Sequence, residues 1–305
     1  MTAYYADKLF KDNIKQILDY GTWDENPRPK YSDGTPAYTK FITDVFEKYP
    51  AGNLAPITEL RPIAWKTAIR EMLWIYNNQT SNLKELHERK VFFWDEWEVG
   101  NTGTIGQRYG ATVRKHDIIN NLLKDLEEDK FGRRHVINLW QEDDFKESEG
   151  LKPCAFLSMY TVTKDPTGEH EYMLNASLTI RSSDFLTASS INRIQYKALQ
   201  LMLAKHLSMS VGTFSVFTSN MHIYDRHMEN AKKIRDVALR DAQYKRAEPF
   251  PWDKEKRAKY WEQQPQLILN VPDGTNFYDI KDTDFELKNY NPIKHKPKLT
   301  FDLGI

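Results

Sequence analysis

The 305 residues carry 43 Lys and Arg against 43 Asp and Glu, 40% hydrophobic side chains and one cysteine. Balanced charge and a pI of about 7.1 exclude a nucleic-acid coat or a basic membrane-surface binder on bulk charge, so an anionic ligand must be held by local arginines. One cysteine excludes an internal disulfide, no stretch approaches the ~20 apolar residues of a membrane span, and the opening MTAYYADKLFKDNIKQ has no apolar signal core, which together predict a cytosolic chain.

In chain order, apolar residues at helical spacing predict helices over Ala3 to Tyr20, Ile63 to Tyr76, Asp117 to Glu128 and Ser190 to Leu207. The third is the clearest, with Ile118, Ile119, Leu122, Leu123 and Leu126 on one stripe. Strand-like runs lie between and after them, at His135 to Trp140, Ala155 to Val162, Tyr172 to Ile180, Thr213 to Asn220 and Leu267 to Val271. Helices and strands interleave without a regular βαβ repeat, which points to an α+β fold with a mixed sheet packed by helices. The length suits a single domain over 1–305, from which the charged, proline-containing segment at about 240–266 reads as a solvated excursion.

Cys154 follows Pro153 at the start of the apolar run AFLSMYTV. A lone cysteine there can be a small buried hydrophobe or a nucleophile, and the second use needs a nearby cation to hold the thiolate. Arginines are at hand in the sequence: Arg133 and Arg134 are adjacent, and Arg181 and Ser182 end a strand with Asp184 just beyond. Guanidinium forks suit bidentate capture of a phosphate dianion, although paired arginines can also simply be solvated. Asn192 shares a helical face with Tyr196, Leu199 and Leu203, where it either caps the helix or reads a ligand edge with its donor and acceptor. His222 and Tyr224 follow a strand at period-two spacing, which puts both on one face. His227 adds a second histidine but no third metal-type ligand stands near, so zinc is not expected. Nor is a Cys-His hydrolase using His135 or His222, since no glycine-rich nucleophile turn accompanies Cys154.

Taken in order, E-M-L-W at Glu71 to Trp74, W-D-E-W at Trp94 to Trp97, Tyr109-Gly110, Arg133-Arg134, Pro153-Cys154, R-S-x-D at Arg181 to Asp184, Asn192, and H-I-Y at His222 to Tyr224 resemble the thymidylate synthases along nearly the whole chain. Each motif is weak alone, and their shared order is specific. The run GTNFYDIKDTDFEL and the close FDLGI also resemble that family's C-terminal strand and tail. The resemblance implies a thymidylate synthase-like fold whose sheet face forms a homodimer interface. It also implies conversion of dUMP to dTMP with 5,10-methylenetetrahydrofolate as carbon and hydride donor, and no metal. Cys154 would add to carbon 6 of the uracil. Arg181 would touch the phosphate and lower the Cys154 pKa, Arg28 would join it on the same subunit, and Arg133 and Arg134 would come across the dimer. Glu71 would shuttle protons at O4 and Tyr109 would assist loss of the C5 proton. Asn192 would select uracil, Ser182, His222 and Tyr224 would hold the nucleotide, and Arg61, Trp94, Asp184 and Ile305 would meet the folate.

The chain departs from the family pattern in four places: Leu186 to Asn192 lacks the usual Gly and Pro, Tyr109-Gly110 continues Ala-Thr-Val-Arg, Ala155 follows the cysteine, and Arg61-Pro62 replaces a common lysine. With the GTIGQRYG run, these mark a divergent branch in which the covalent-catalysis and phosphate positions are kept. Two other functions fit the same residues. A dUMP hydroxymethylase of this fold would capture the methylene with water, which a stacked Trp94 and a closed tail at Ile305 would oppose. A catalytically silent nucleotide- or RNA-binding relative would have no use for Cys154 or Glu71.

Overall fold

In the computed structural model, residues 5–239, 262–302 and 304 are described. Helix α1 (Tyr5–Tyr20) leads into a short strand β1 (Thr22–Trp23) and the long strand β2 (Thr39–Tyr49). Helices α2 (Trp65–Tyr76), α3 (Leu83–Glu88), α4 (Gly110–Lys115) and α5 (Ile118–Glu128) follow, then β3 (Val136–Asn138), α6 (Glu142–Glu147), β4 (Ala155–Lys164) and β5 (Tyr172–Asp184). Helix α7 (Ser189–His206), β6 (Ser210–Tyr224), α8 (Met228–Asp236), β7 (Gln266–Leu269) and β8 (Phe285–Lys288) complete the order. The main sheet runs β1-β2-β6-β5-β4-β3, and β7 and β8 pair apart from it. Only β5 and β6 run parallel in the main sheet, joined by the α7 crossover. The expected mixed sheet packed by helices is therefore present.

Most predicted elements appear with shifted ends. The first helix begins at Tyr5 among the described residues, and the second begins at Trp65 because Pro62 cannot continue a helix and the Ile63 amide donates to the Tyr290 hydroxyl at 2.9 Å. The α5 stripe is buried at all five predicted positions. Strand β2 has no counterpart in the sequence reading, and β6 runs on to Tyr224, so His222 and Tyr224 lie inside the strand instead of following it. Of the predicted excursion at about 240–266, residues 240–261 lie outside the described residues, and Gln266 already opens β7. No helix among the described residues is long and apolar enough to cross a membrane.

The core lies between one sheet face and the helices. Helix α7 buries nearly its whole length there, and α2 packs on it, with the Tyr76 hydroxyl donating to the Tyr196 hydroxyl at 2.7 Å. Tyr196 in turn donates to the Ala155 carbonyl at 2.9 Å, which ties the start of β4 to α7. The opposite sheet face is open. Phe46 pairs with Phe217 across β2 and β6, Phe217 with Thr179 across β6 and β5, and Val136 with Met159 across β3 and β4. Phe46, Phe217, Met159 and Val136 are all exposed large apolar side chains.

Candidate active site

Cys154 sits one residue ahead of β4, where the register with β5 shifts between Ala155 and Leu157. Its carbonyl accepts from the Arg181 backbone amide at 2.9 Å. The Arg181 side chain turns back along the same segment, with Nε donating to the Pro153 carbonyl at 2.9 Å and a terminal nitrogen to the Lys152 carbonyl at 2.7 Å. Its guanidinium also lies 5.9 Å from the Trp140 ring centroid. These contacts hold one cation beside the cysteine. Burial pushes the Cys154 thiol up, and Arg181 and then Arg28 pull it back, leaving the net direction upward. Arg181 thus acts on the thiol in the expected sense, but burial outweighs it.

On the helical side, Glu71 is 5% exposed on α2. One of its oxygens accepts from Trp94 Nε1 at 2.8 Å and the other from Gln195 Nε2 at 2.6 Å. Burial raises its pKa to about 7 against the pull of those two donors. A carboxyl poised there can take or give a proton near neutrality. Trp94 packs edge-on to Tyr109 with ring centroids 5.0 Å apart. Tyr109 has φ 48°, a left-handed backbone for a bulky residue. A Cβ on the next residue, Gly110, would lie 2.1 Å from the Thr80 carbonyl oxygen, so the chain approaches too closely there for any residue but glycine. The Tyr109 phenol is raised well above its usual pKa, first by burial and then by the charges of Cys154 and Glu71.

Parallel pairing sets the third wall. Ser182 lies opposite Asn220 and Asp184 opposite His222. His222 shares a hydrogen bond of 2.8 Å with Asn220, and burial lowers its pKa against the pull of Asp184 and Asp24. Burial, then Asp184 and Cys154, raise the Tyr224 pKa against the opposing pull of Arg28. Its hydroxyl donates to the Gly304 carbonyl at 3.5 Å, and a Cβ on Gly304 would meet the Tyr224 ring at 2.7 Å. The tail is further tied by Arg226, which pairs with Asp33 at 2.6 Å and Asp302 at 3.3 Å. Charge thus links Cys154 to Arg28, Arg181, Tyr109 and Tyr224, Tyr109 to Glu71, and Tyr224 to Asp184.

Asn192 lies in the first turn of α7, whose N-cap is Ala188 without a side-chain capping bond. Its Nδ2 donates to Gln195 Oε1 at 3.2 Å, which settles the choice left by the sequence against a helix cap. Arg61 donates to the Leu186 and Thr187 carbonyls and lies 4.8 Å from the Phe301 ring centroid, fastening the divergent loop to the tail. Asp184 accepts from the Thr187 hydroxyl in the same loop. Arg133 and Arg134 are exposed on the loop between α5 and β3, and the guanidiniums that act on the thiol are Arg28 and Arg181 instead. Ile305 lies outside the described residues. Among those residues no group of three or more His, Cys, Asp or Glu side chains is arranged to hold a metal ion.

Gln195 is the residue that the sequence reading missed. Its signal was its position three residues after Asn192, which puts both on one helical face.

A family model described as thymidylate synthase matches residues 8–302. The thymidylate synthase of Streptococcus pneumoniae (strain 70585) is 48% identical over 302 residues, covering 98% of this chain and 99% of that protein. That of Streptococcus sanguinis (strain SK36) is 47% identical over the same length. Among solved structures, the thermostable thymidylate synthase A from Bacillus subtilis superposes with a TM-score of 0.81 at 28% identity, covering 98% of this chain and 99% of that one. Neither a hydroxymethylase nor a silent nucleotide- or RNA-binding protein finds support among these relatives. A likeness that runs through essentially all of both chains in sequence, and again in three dimensions, leaves no segment to be explained otherwise, and the chain belongs to the thymidylate synthase family.

Proposed function

We propose that the family's reaction, reductive methylation of dUMP to dTMP, runs in this chain through a covalent adduct of Cys154. The observation that carries the reading is a half-buried thiol whose flanking carbonyls hold the Arg181 guanidinium, and which feels Arg28 as well and is linked through Tyr109 to a carboxyl titrating near 7. Cys154 Sγ adds to carbon 6 of the uracil, which turns carbon 5 into a nucleophile toward the methylene of 5,10-methylenetetrahydrofolate. The C5 proton leaves with help from Tyr109 as the bond between the methylene and the folate nitrogen breaks, while Glu71 moves protons at O4. Hydride from the folate completes the methyl group and dihydrofolate leaves, as the thiolate is expelled and regenerated.

Arg28 and Arg181 hold the phosphate and Ser182, His222 and Tyr224 the sugar. Asn192 reads the uracil edge. Trp94, Asp184, Arg61 and the tail through Ile305 close over the folate. The open face with Phe46, Phe217, Met159 and Val136 is the surface on which two copies join about a two-fold axis. That arrangement lets the exposed Arg133 and Arg134 serve the partner's nucleotide. The whole of 1–305 works as one catalytic unit in the cytoplasm. Incubation with dUMP and 5,10-methylenetetrahydrofolate tests the reaction: dTMP and dihydrofolate in equal amounts are expected, and 5-hydroxymethyl-dUMP without dihydrofolate would overturn it.

A further inference from the structure

Gln195 joins two groups that the reaction uses separately. With Glu71 ionised, the order of donors along the chain of hydrogen bonds is fixed. Trp94 Nε1 can only donate, so the Glu71 oxygen facing it accepts. The second Glu71 oxygen, ionised, also accepts, and Gln195 therefore meets it with its NH2 group at 2.6 Å. That turns the Gln195 carbonyl toward Asn192, which must answer with Nδ2 at 3.2 Å. Gln195 is 4% exposed, and a reversed amide at either position would set two acceptors or two donors face to face.

We infer that Gln195 is a positioning residue for base selection, which fixes the outward edge of the Asn192 amide as Oδ1 plus the remaining Nδ2 hydrogen. This rests on the reading of Asn192 as the residue that meets the base. Oδ1 then accepts from a ring N–H and Nδ2 donates to a carbonyl, the pattern of uracil at N3 and O4. Cytosine offers an unprotonated N3 and an amino group at those places, and binding it requires the amide to reverse. Reversal breaks the bond to Gln195 and leaves acceptor against acceptor. Selectivity is thereby anchored on Glu71 through Gln195.

The test compares equilibrium Kd values for dUMP and dCMP in the full-length protein and its variants. Gln195→Met keeps the length of the side chain and removes both polar ends, so the Asn192 amide is free to turn. Relative affinity for dUMP over dCMP is expected to fall about three- to tenfold, the worth of one neutral hydrogen bond. Gln195→Glu still offers Asn192 an acceptor while sharing a proton with Glu71, and is expected to retain the wild-type ratio. Gln195→Ala replaces Gln195→Met if that variant does not fold by circular dichroism. If neither folds, Gln195→Glu decides alone, a retained ratio supporting the inference and a lost one overturning it. A role confined to packing would weaken both nucleotides equally and lower Tm without moving the ratio, and that result overturns the inference. Asn192→Ala separates the two ways of failing. A ratio lost in Asn192→Ala but kept in Gln195→Met refutes the role of Gln195 alone, and a ratio kept in both refutes the reading of Asn192 as well.

Discussion

Lys197 is fully buried in α7, and its ammonium has one described acceptor, Gln200 Oε1 at 3.0 Å. Burial lowers its pKa from 10.5 to about 7. At about 1.36 kcal/mol per pH unit the gap corresponds to about 5 kcal/mol of charging cost, of which roughly 4 kcal/mol is felt at pH 7, where the folded lysine is half protonated. The sign follows from the direction of the shift. Between about pH 7 and 10.5 the unfolded chain binds the proton that the folded chain has released, so stability rises with pH across that window and the cost vanishes above it. Lys197→Met removes the titration but leaves Gln200 Oε1 without its donor, a loss of ~1–3 kcal/mol. The variant should therefore be more stable than wild type by ~1–3 kcal/mol at pH 7 and less stable near pH 10. Urea unfolding at fixed protomer concentration, repeated from pH 7 to 10, measures the difference, in which the other titrating groups cancel. Parallel curves for the two proteins would refute the reasoning.

Glu47 and Arg193 are each 3% exposed and hydrogen-bonded at 2.6 Å, so Glu47→Gln, which leaves a guanidinium buried without its counter-charge, should cost ~3–5 kcal/mol in urea unfolding. A paired replacement of both by leucine should recover most of that, and a single variant within error of wild type would count against the pair. Arg133→Ala/Arg134→Ala and Cys154→Ser subunits should each be nearly inactive alone but regain dTMP formation when mixed, refolded and allowed to form heterodimers. Activity no higher than the two parents combined would place the arginines' work within their own chain.

The four longer helices α1, α2, α5 and α7 were legible because their apolar stripes are local, as α5 shows at every position, whereas the short α3, α4, α6 and α8 were not. Strand β2 was not, because TKFITDVFEKY carries Lys40, Asp44, Glu47 and Lys48 and its inward Glu47 is tolerated through Asn13 and through Arg193, 146 residues away. The predicted strand stopped at Asn220 because polar Asn220 and His222 end its apolar alternation, yet they bond to each other and pair with Ser182 and Asp184 across the sheet. Cys154, Glu71 and Asn192 stood out by residue type and by family order. Gln195 did not, since its meaning depends on Glu71, 124 residues distant. The upward pKa of the thiol was also invisible in sequence, because it depends on how much of the surroundings excludes water.

The covalent role of Cys154 is tested most directly by incubating the protein with 5-fluoro-dUMP and 5,10-methylenetetrahydrofolate, digesting it and weighing the peptides. Fluorine at carbon 5 cannot leave as the proton does, so the adduct is trapped once the methylene is attached. The account predicts one nucleotide and one folate on the peptide that contains Cys154, and none in Cys154→Ser. Formation of dTMP by a protein that never carries that adduct, or by Cys154→Ser itself, would contradict it.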